Sequence, residues 1–192
     1  MDSTNKLTKV IAIYANGHGA GKSTLARFIH DYVMQCTDKQ AAIYSFTENI
    51  KEAATELLPW DAVYTHKDEP RAELGGKTPR DLFIFLGEGI KREFNPLFFV
   101  DKIIHDINEY GNDLVIIDDL RFPDELHRLR EEYGSNLCVV YLDGPVDSPN
   151  QDPSTEGLID EGAADVHITN IGTLGQLYDK AVFIVTEVLG IE

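Results

Sequence analysis

Five short apolar runs alternate with longer stretches in which apolar residues recur at helical spacing. The runs are Lys9–Ala15, Ala41–Phe46, Leu114–Asp118, Leu137–Leu142 and Val166–Thr169, and each reads as a strand. The first helix is expected from about Lys22 to Met34, and a second after Thr47, a good N-cap, through about Leu58. Thr78-Pro79-Arg80-Asp81 has the form of a helix start, with Thr as cap, Pro in the first turn and an acid three residues on. Asn95-Pro96 repeats that signal and Gly111 ends the helix; Pro123 opens another, ended by Gly134. Thr173 caps a last helix to about Leu189, with Leu174, Leu177, Ala181, Ile184 and Val188 at core spacing.

Strands separated by helices imply an α/β protein, a central parallel sheet with helices on both faces in three layers. Its length, 192 residues, suits a single domain with a full-sized core. Two polar, turn-rich stretches, 59–77 and 144–164, resist assignment and read as substrate or lid loops. Ligands in such sheets bind at the carboxyl ends of the strands. Phe46-Thr47, Asp118–Arg121 and Asn170 all fall there, and so does a glycine-rich stretch after the first strand.

That stretch, Asn16-Gly17-His18-Gly19-Ala20-Gly21-Lys22-Ser23-Thr24, sits between an apolar strand and a helical pattern. The order strand, glycine turn, helix is that of a phosphate-binding P-loop. Glycines accept positive φ, so the turn can wrap its N–H groups around a phosphate. The following helix points its positive end at the same anion. Lys22 is expected to reach the β- and γ-phosphates, and the Ser23 hydroxyl to ligate Mg²⁺. The pattern G-x-x-x-x-G-K-[ST] asks for glycine where this chain has Asn16, a residue that tolerates positive φ.

Leu114-Val115-Ile116-Ile117-Asp118-Asp119 is an apolar strand ending in two acids, and in P-loop proteins an acid here holds Mg²⁺. Either Asp118 or Asp119 could serve. Arg121 follows within reach of the same strand end, where a guanidinium suits a transferring phosphate. Arg128 and Arg130 are two apart on the next helix, so at most one faces the site; Arg130 is assigned to the nucleotide.

Charge and composition narrow the partners. The net charge of −16 argues against broad binding to nucleic acid. Between Lys67 and Lys102, however, seven basic residues balance seven acidic ones, while the rest of the chain has ten against twenty-six. A local cationic site in an acidic body is therefore expected. Lys51, Arg80, Lys91 and Arg92 are interleaved with Phe83, Phe85, Phe94, Phe98 and Phe99, a mixture that suits a nucleobase and its phosphate. Most of these rings must be core, and Phe99 is kept as the stacking candidate. No apolar run approaches the roughly 20 residues that span a bilayer, and the N-terminus lacks the apolar stretch of a signal peptide. Cys36 and Cys138 fall in apolar patterns without ligand spacing and read as buried free thiols. A cytoplasmic protein is expected, with no membrane partner and with its oligomeric state open, a homodimer included.

At this point the chain resembles the deoxynucleoside monophosphate kinases of tailed bacteriophages and, more distantly, animal-type phosphomevalonate kinase. The resemblance covers nearly the whole chain. It rests on Gly21-Lys22-Ser23-Thr24, Glu48-Asn49-Ile50-Lys51, Thr78-Pro79-Arg80 through Leu86-Gly87 and Arg92, and Phe98-Phe99. It continues through Asp119-Leu120-Arg121-Phe122-Pro123-Asp124-Glu125, Ser154-Thr155-Glu156 and Ile168-Thr169-Asn170. The family implies ATP-dependent transfer of a γ-phosphoryl group to a deoxynucleotide, with Mg²⁺. Carried over, Gly19, Gly21, Lys22, Ser23 and Thr24 bind the ATP phosphates; Lys51, Arg80, Arg92, Phe99 and Glu125 serve the acceptor. Lys22, Asp119 and Arg121 sit at the reaction centre, and Asn170 begins the loop that borders the adenine. Three departures bear on substrate identity: Asn16 for glycine, Ser23 where the phage enzymes often have Asp, and Pro153 where they often have His.

Two other readings compete. A branch of the same family phosphorylates the hydroxymethyl group of 5-hydroxymethyluracil in DNA, although the acidic charge favours a free nucleotide. A nucleotide-binding switch that hydrolyses NTP slowly is a different class, and the chain lacks the guanine-reading Asn-Lys-x-Asp motif.

Overall fold

The five apolar runs pair into one parallel sheet. In the computed structural model, which describes residues 8–15, 17–145 and 158–191, strands β1 (Lys9–Ala15), β2 (Ala41–Tyr44), β3 (Leu114–Ile117), β4 (Leu137–Asp143) and β5 (Val166–Thr169) lie in the order β2-β3-β1-β4-β5. Asn16, Pro153 and Ser154-Thr155-Glu156 lie outside the described residues. The helices are α1 (Lys22–Cys36), α2 (Glu48–Thr55), α3 (Trp60–Tyr64), α4 (Pro79–Glu93), α5 (Phe98–Tyr110), α6 (Pro123–Tyr133) and α7 (Leu174–Phe183). Register sets Ala12 beside Ile117, Ala15 beside Leu142, and Asp143 beside Thr169. Because every pairing is parallel, the phosphate loop, Asp118-Asp119, Gly144 and Asn170 all follow strand ends on one edge of the sheet.

The chain forms two compact units, one made of 1–44 with 103–192 and the other of Ser45–Lys102. In the first, β1 is buried from Val10 to Ala15, as a central parallel strand must be when both faces are covered. Ile11, Ile13, Ile116, Val140 and Leu142 face one core shared with Leu25, Ile29 and Val33 of α1 and Leu177 and Ala181 of α7. Phe28 and Tyr178 close the seam between these two helices edge to face. The alternate strand residues Val10, Ala12, Val115, Ile117 and Val139 are equally buried, so the opposite face is covered too.

The second unit has its own small core of Ala54, Leu58, Ala62 and Val63, joined by Leu82 and Phe83 of α4. Thr78 caps α4 as expected: its hydroxyl accepts from the Asp81 N–H at 3.2 Å while the Asp81 carboxylate accepts from the Thr78 N–H at 2.8 Å. The stretch 59–77 is more ordered than a plain loop. It holds α3 and a 3₁₀ turn at Ala72–Leu74, with Arg71 N–H on the Lys77 carbonyl and Arg80 N–H on the Lys67 carbonyl.

Four local expectations are corrected. Thr47 is not a side-chain cap; its own backbone is helical, and its hydroxyl pairs with that of Ser45 at 3.0 Å. The last helix buries Val185 and Leu189 and leaves Leu174 and Val188 exposed. Leu174 is simply the first residue of α7; the exchange of Val188 for Leu189 comes from a π-helical turn at Ile184–Val188, where one extra residue enters, Leu189 N–H bonds to the Ile184 carbonyl, and the buried stripe is rephased. Cys138 is buried as expected, but Cys36 ends α1 beyond its last core position, Val33, and is exposed. Phe99 is only 2% exposed, whereas Phe85 and Phe94 face solvent. Phe99 therefore packs as core, and Phe85 stands outside because α4 turns Leu82, Phe83 and Gly87 inward.

Ile116→Ala is expected to cost about 2–5 kcal/mol, because a fully buried strand side chain leaves a cavity between two covered faces. Phe94→Ala, at an exposed helix end, should stay within about 0.5 kcal/mol. Urea unfolding followed by circular dichroism measures both.

Candidate active site

The glycine-rich turn after β1 is built by two left-handed glycines and a helix start without a side-chain cap. Gly19 has φ 84° and Gly21 has φ 101°, backbone that side chains rarely adopt. Gly21 is the N-cap of α1, yet no side chain caps that helix and no acid lies in its first turn. The first N–H groups of a helix have no partner within it. Such a helix start, with the positive end of the helix dipole, suits an anion. The Lys22 ammonium donates to the Gly17 carbonyl at 3.2 Å, which lays its charge along the loop. Ser23 is exposed on the first turn. This donor set, with a hydroxyl at the second helical position, fits a nucleoside triphosphate and its Mg²⁺.

Asn170 lies behind the loop. Its side-chain amide donates to the Ala20 carbonyl at 2.9 Å, and its backbone N–H donates to the Asp143 carbonyl at 2.6 Å. A Cβ on Gly21 would stand 2.6 Å from that amide nitrogen. Gly144, which no sequence argument singled out, approaches closer still: a Cβ there would stand 2.4 Å from the Ala20 carbonyl oxygen. Its only signal in the chain is a glycine directly after a strand, the ordinary mark of a turn.

The end of β3 supplies the acids. Asp118 is half-buried and donates its N–H to the Tyr44 carbonyl at 3.2 Å; Asp119 is buried, at 7% exposure. Arg121 follows on a loop whose shape is set by Glu125. That carboxylate is 3% exposed and accepts from the N–H groups of Arg121 and Phe122 at 3.4 and 3.2 Å. The structure thus gives Glu125 to the start of α6 and to the Arg121 loop. Arg130, assigned to the nucleotide, donates to the Ala163 carbonyl. With the Tyr14 hydroxyl on the Asp160 carbonyl, it fastens the 3₁₀ turn Glu161–Ala163 to the first unit. The Tyr141 hydroxyl joins the same turn through the Glu161 carboxylate, and burial together with that bond pushes its pKa up to about 12.

The expected acceptor residues lie in the second unit. Lys51 donates to the Glu48 carboxylate at 3.0 Å and sits 5.7 Å from the centre of the Tyr64 ring. The other Glu48 oxygen accepts from the Tyr64 hydroxyl at 2.7 Å. Burial works to raise the Glu48 pKa, but the bonds from Tyr64 and Lys51 outweigh it and the net shift is downward. The Glu48 bond also pushes Tyr64 up to about 12. Trp60, 65% exposed, stacks on Tyr64 with ring centres 4.8 Å apart. The Trp60–Tyr64 pair escaped sequence reasoning, since the lone tryptophan sits in a polar, turn-rich stretch without periodicity. Arg80 forms a two-point pair with Asp68, at 2.5 and 3.2 Å, and exposed Arg92 pairs with its neighbour Glu93. Buried Phe99 packs edge to face on Phe98, so a base finds no open face of it to stack on.

The strand order, the glycine loop after the central strand and the lysine at the head of α1 define the class: this is a P-loop kinase fold, a parallel five-stranded sheet flanked by helices. Among solved structures, the chain is similar to a gluconokinase from Sinorhizobium meliloti 1021, at 12% identity over 95% of this chain and 94% of that one, with TM-score 0.53. It is also similar to the APS kinase of Mycobacterium tuberculosis in complex with AMPPNP and APS, at 10% identity over 93% and 98%, with TM-score 0.50. No protein-family model matches the sequence, and no curated protein matches it. Among the described residues, no helix is long and apolar enough to cross a membrane.

Two predictions follow from these contacts. Lys22→Ala should weaken ADP binding by about tenfold or more in calorimetry while shifting the thermal unfolding midpoint little, because the ammonium's bond to the Gly17 carbonyl lies within the loop itself. The depressed Glu48 pKa sets a direction with pH. Its stabilising contribution is present above the ordinary carboxylate pKa and is lost as pH falls through the lower folded value. Wild type and Glu48→Gln should therefore differ in thermal midpoint at neutral pH and converge in acid.

Proposed function

We propose that this protein is a kinase that transfers the γ-phosphoryl group of ATP to a deoxynucleotide, dNMP and ATP giving dNDP and ADP. The observation that carries the donor half is the uncapped, acid-free N-terminus of α1 behind two left-handed glycines. Gly19, Gly21, Lys22, Ser23 and Thr24 would hold the phosphates, and Ser23 with Asp118 or Asp119 would hold Mg²⁺. ATP with Mg²⁺ supplies the phosphoryl group and neutralises much of its charge. The protein supplies alignment and positive charge, and Lys22 and Arg121 are the residues for that work. Arg121 is suited to it because the Glu125 carboxylate holds its N–H and that of the following Phe122, so little backbone ordering is left to be done when substrate arrives.

The acceptor half rests on the second unit. Lys51, Arg80 and Arg92 offer cations for an acceptor phosphate, and guanidinium forks match phosphate oxygens. Trp60 offers what Phe99 does not, an open aromatic face on a ring already held in place. Base stacking on such a face is worth about 1–3 kcal/mol. Together, cations and a stacking face favour a nucleotide over a sugar or an aliphatic acid as acceptor.

An acceptor screen tests this reading. Labelled phosphate from ATP should appear on at least one dNMP, and Trp60→Ala should raise the acceptor KM by about tenfold with the ATP KM unchanged. Because Trp60 is the chain's single tryptophan, its fluorescence should also be quenched saturably by that dNMP and not by gluconate or phosphomevalonate. Transfer to 5-hydroxymethyluracil-containing DNA and to no free nucleotide would replace the acceptor with a base in DNA. ATP turnover without any acceptor dependence would make the protein a slow hydrolase.

A further inference from the structure

The carbonyl of Ala20 is gripped from behind. It accepts the Asn170 amide at 2.9 Å, and Gly144 leaves space for it that any side chain would fill. Gly144 and Asn170 are themselves linked, since the Asn170 N–H bonds to the carbonyl of Asp143, the residue before Gly144. The ends of β4 and β5 therefore form one surface against which the loop rests.

The Ala20 carbonyl and the Gly21 N–H belong to the same peptide unit. In a trans peptide these two groups point in opposite directions, and the chain has no cis bond among its described residues. Holding the carbonyl against Asn170 and Gly144 therefore aims the Gly21 N–H the other way, away from the strand ends. Gly21 is the N-cap of α1, so this N–H adds to the donors that the helix start offers. A loop whose peptide could flip would present the carbonyl, a negative dipole end, to the phosphate instead.

We propose that Gly144 and Asn170 are positioning residues that brace the phosphate loop from the rear and set its affinity for the β-phosphate of a nucleotide without touching it. The proposal rests on the P-loop nucleotide reading, and it adds two residues whose role is to fix the direction of one peptide. Gly144→Ala drives a methyl group into the Ala20 carbonyl and must displace that peptide. Asn170→Ala removes one hydrogen bond and lets the peptide turn.

Calorimetry of the full chain with ADP as probe, alongside thermal unfolding without ligand, separates positioning from mere stability. Gly144→Ala should weaken ADP binding about tenfold or more, and Asn170→Ala about fivefold, which is the scale of one hydrogen bond. Asn170→Asp gives a signature that a purely structural role would not. Its carboxylate cannot donate at neutral pH, so it should bind ADP like Asn170→Ala there. Relative to wild type it should recover as pH falls and the carboxyl gains a proton to donate. If Gly144→Ala does not fold, the two Asn170 variants carry the test alone. Unchanged ADP affinity in folded Asn170→Ala, or no recovery of Asn170→Asp in acid, would overturn the brace while leaving the nucleotide reading intact. A wild-type chain that does not bind ADP would overturn both.

Discussion

The burial of β1 is the constraint from which the rest of the first unit follows. A strand covered on both faces can surrender none of its backbone groups to water, so it must be flanked by partners on each side. β3 and β4 fill those places, and their registers with β1 carry their carboxyl ends to the same edge. Once β1 ends at Ala15, the chain has to turn sharply into α1 without losing its place in the core. Leu25, Ala26 and Ile29 are already fully buried within about the first two turns of α1. Only left-handed backbone achieves so tight a reversal, and Gly19 and Gly21 provide it. The left-handed turn ahead of α1 thus serves to fit a helix back onto a buried strand.

Much of this was legible in the chain. Strand runs and helix punctuation gave the α/β alternation, since period and turn chemistry are local properties. The capping boxes at Thr78 and Thr173 formed where the spacing of hydroxyl and acceptor put them. The left-handed Gly19 and Gly21 and the lysine that opens α1 fall within the glycine-rich stretch for the same reason, since such a turn is set by a few consecutive residues.

What stayed hidden was decided between distant segments. The π-turn in the last helix shifted its buried face by one residue, and no propensity marks such a turn. Phe99 and Phe85 look alike in the sequence, and which one is buried depends on the faces that α4 and α5 turn inward. Glu125 reads as a candidate for substrate but closes a helix start, where a carboxylate three residues inside meets the N–H groups before it. Gly144 and Asn170 matter to the loop only because β4 and β5 end side by side.

The two cysteines divide along the same line between local pattern and tertiary placement. Cys138 lies inside β4, and burial pushes its thiol up to about 11, so it offers almost no thiolate near neutrality. Cys36 stands in solvent at the far end of α1, the helix whose other end forms the phosphate loop. A maleimide reagent should therefore modify one position in the native state. That position lies one rigid helix, about 20 Å, from the loop, a natural place for a spectroscopic tag that leaves the nucleotide edge untouched.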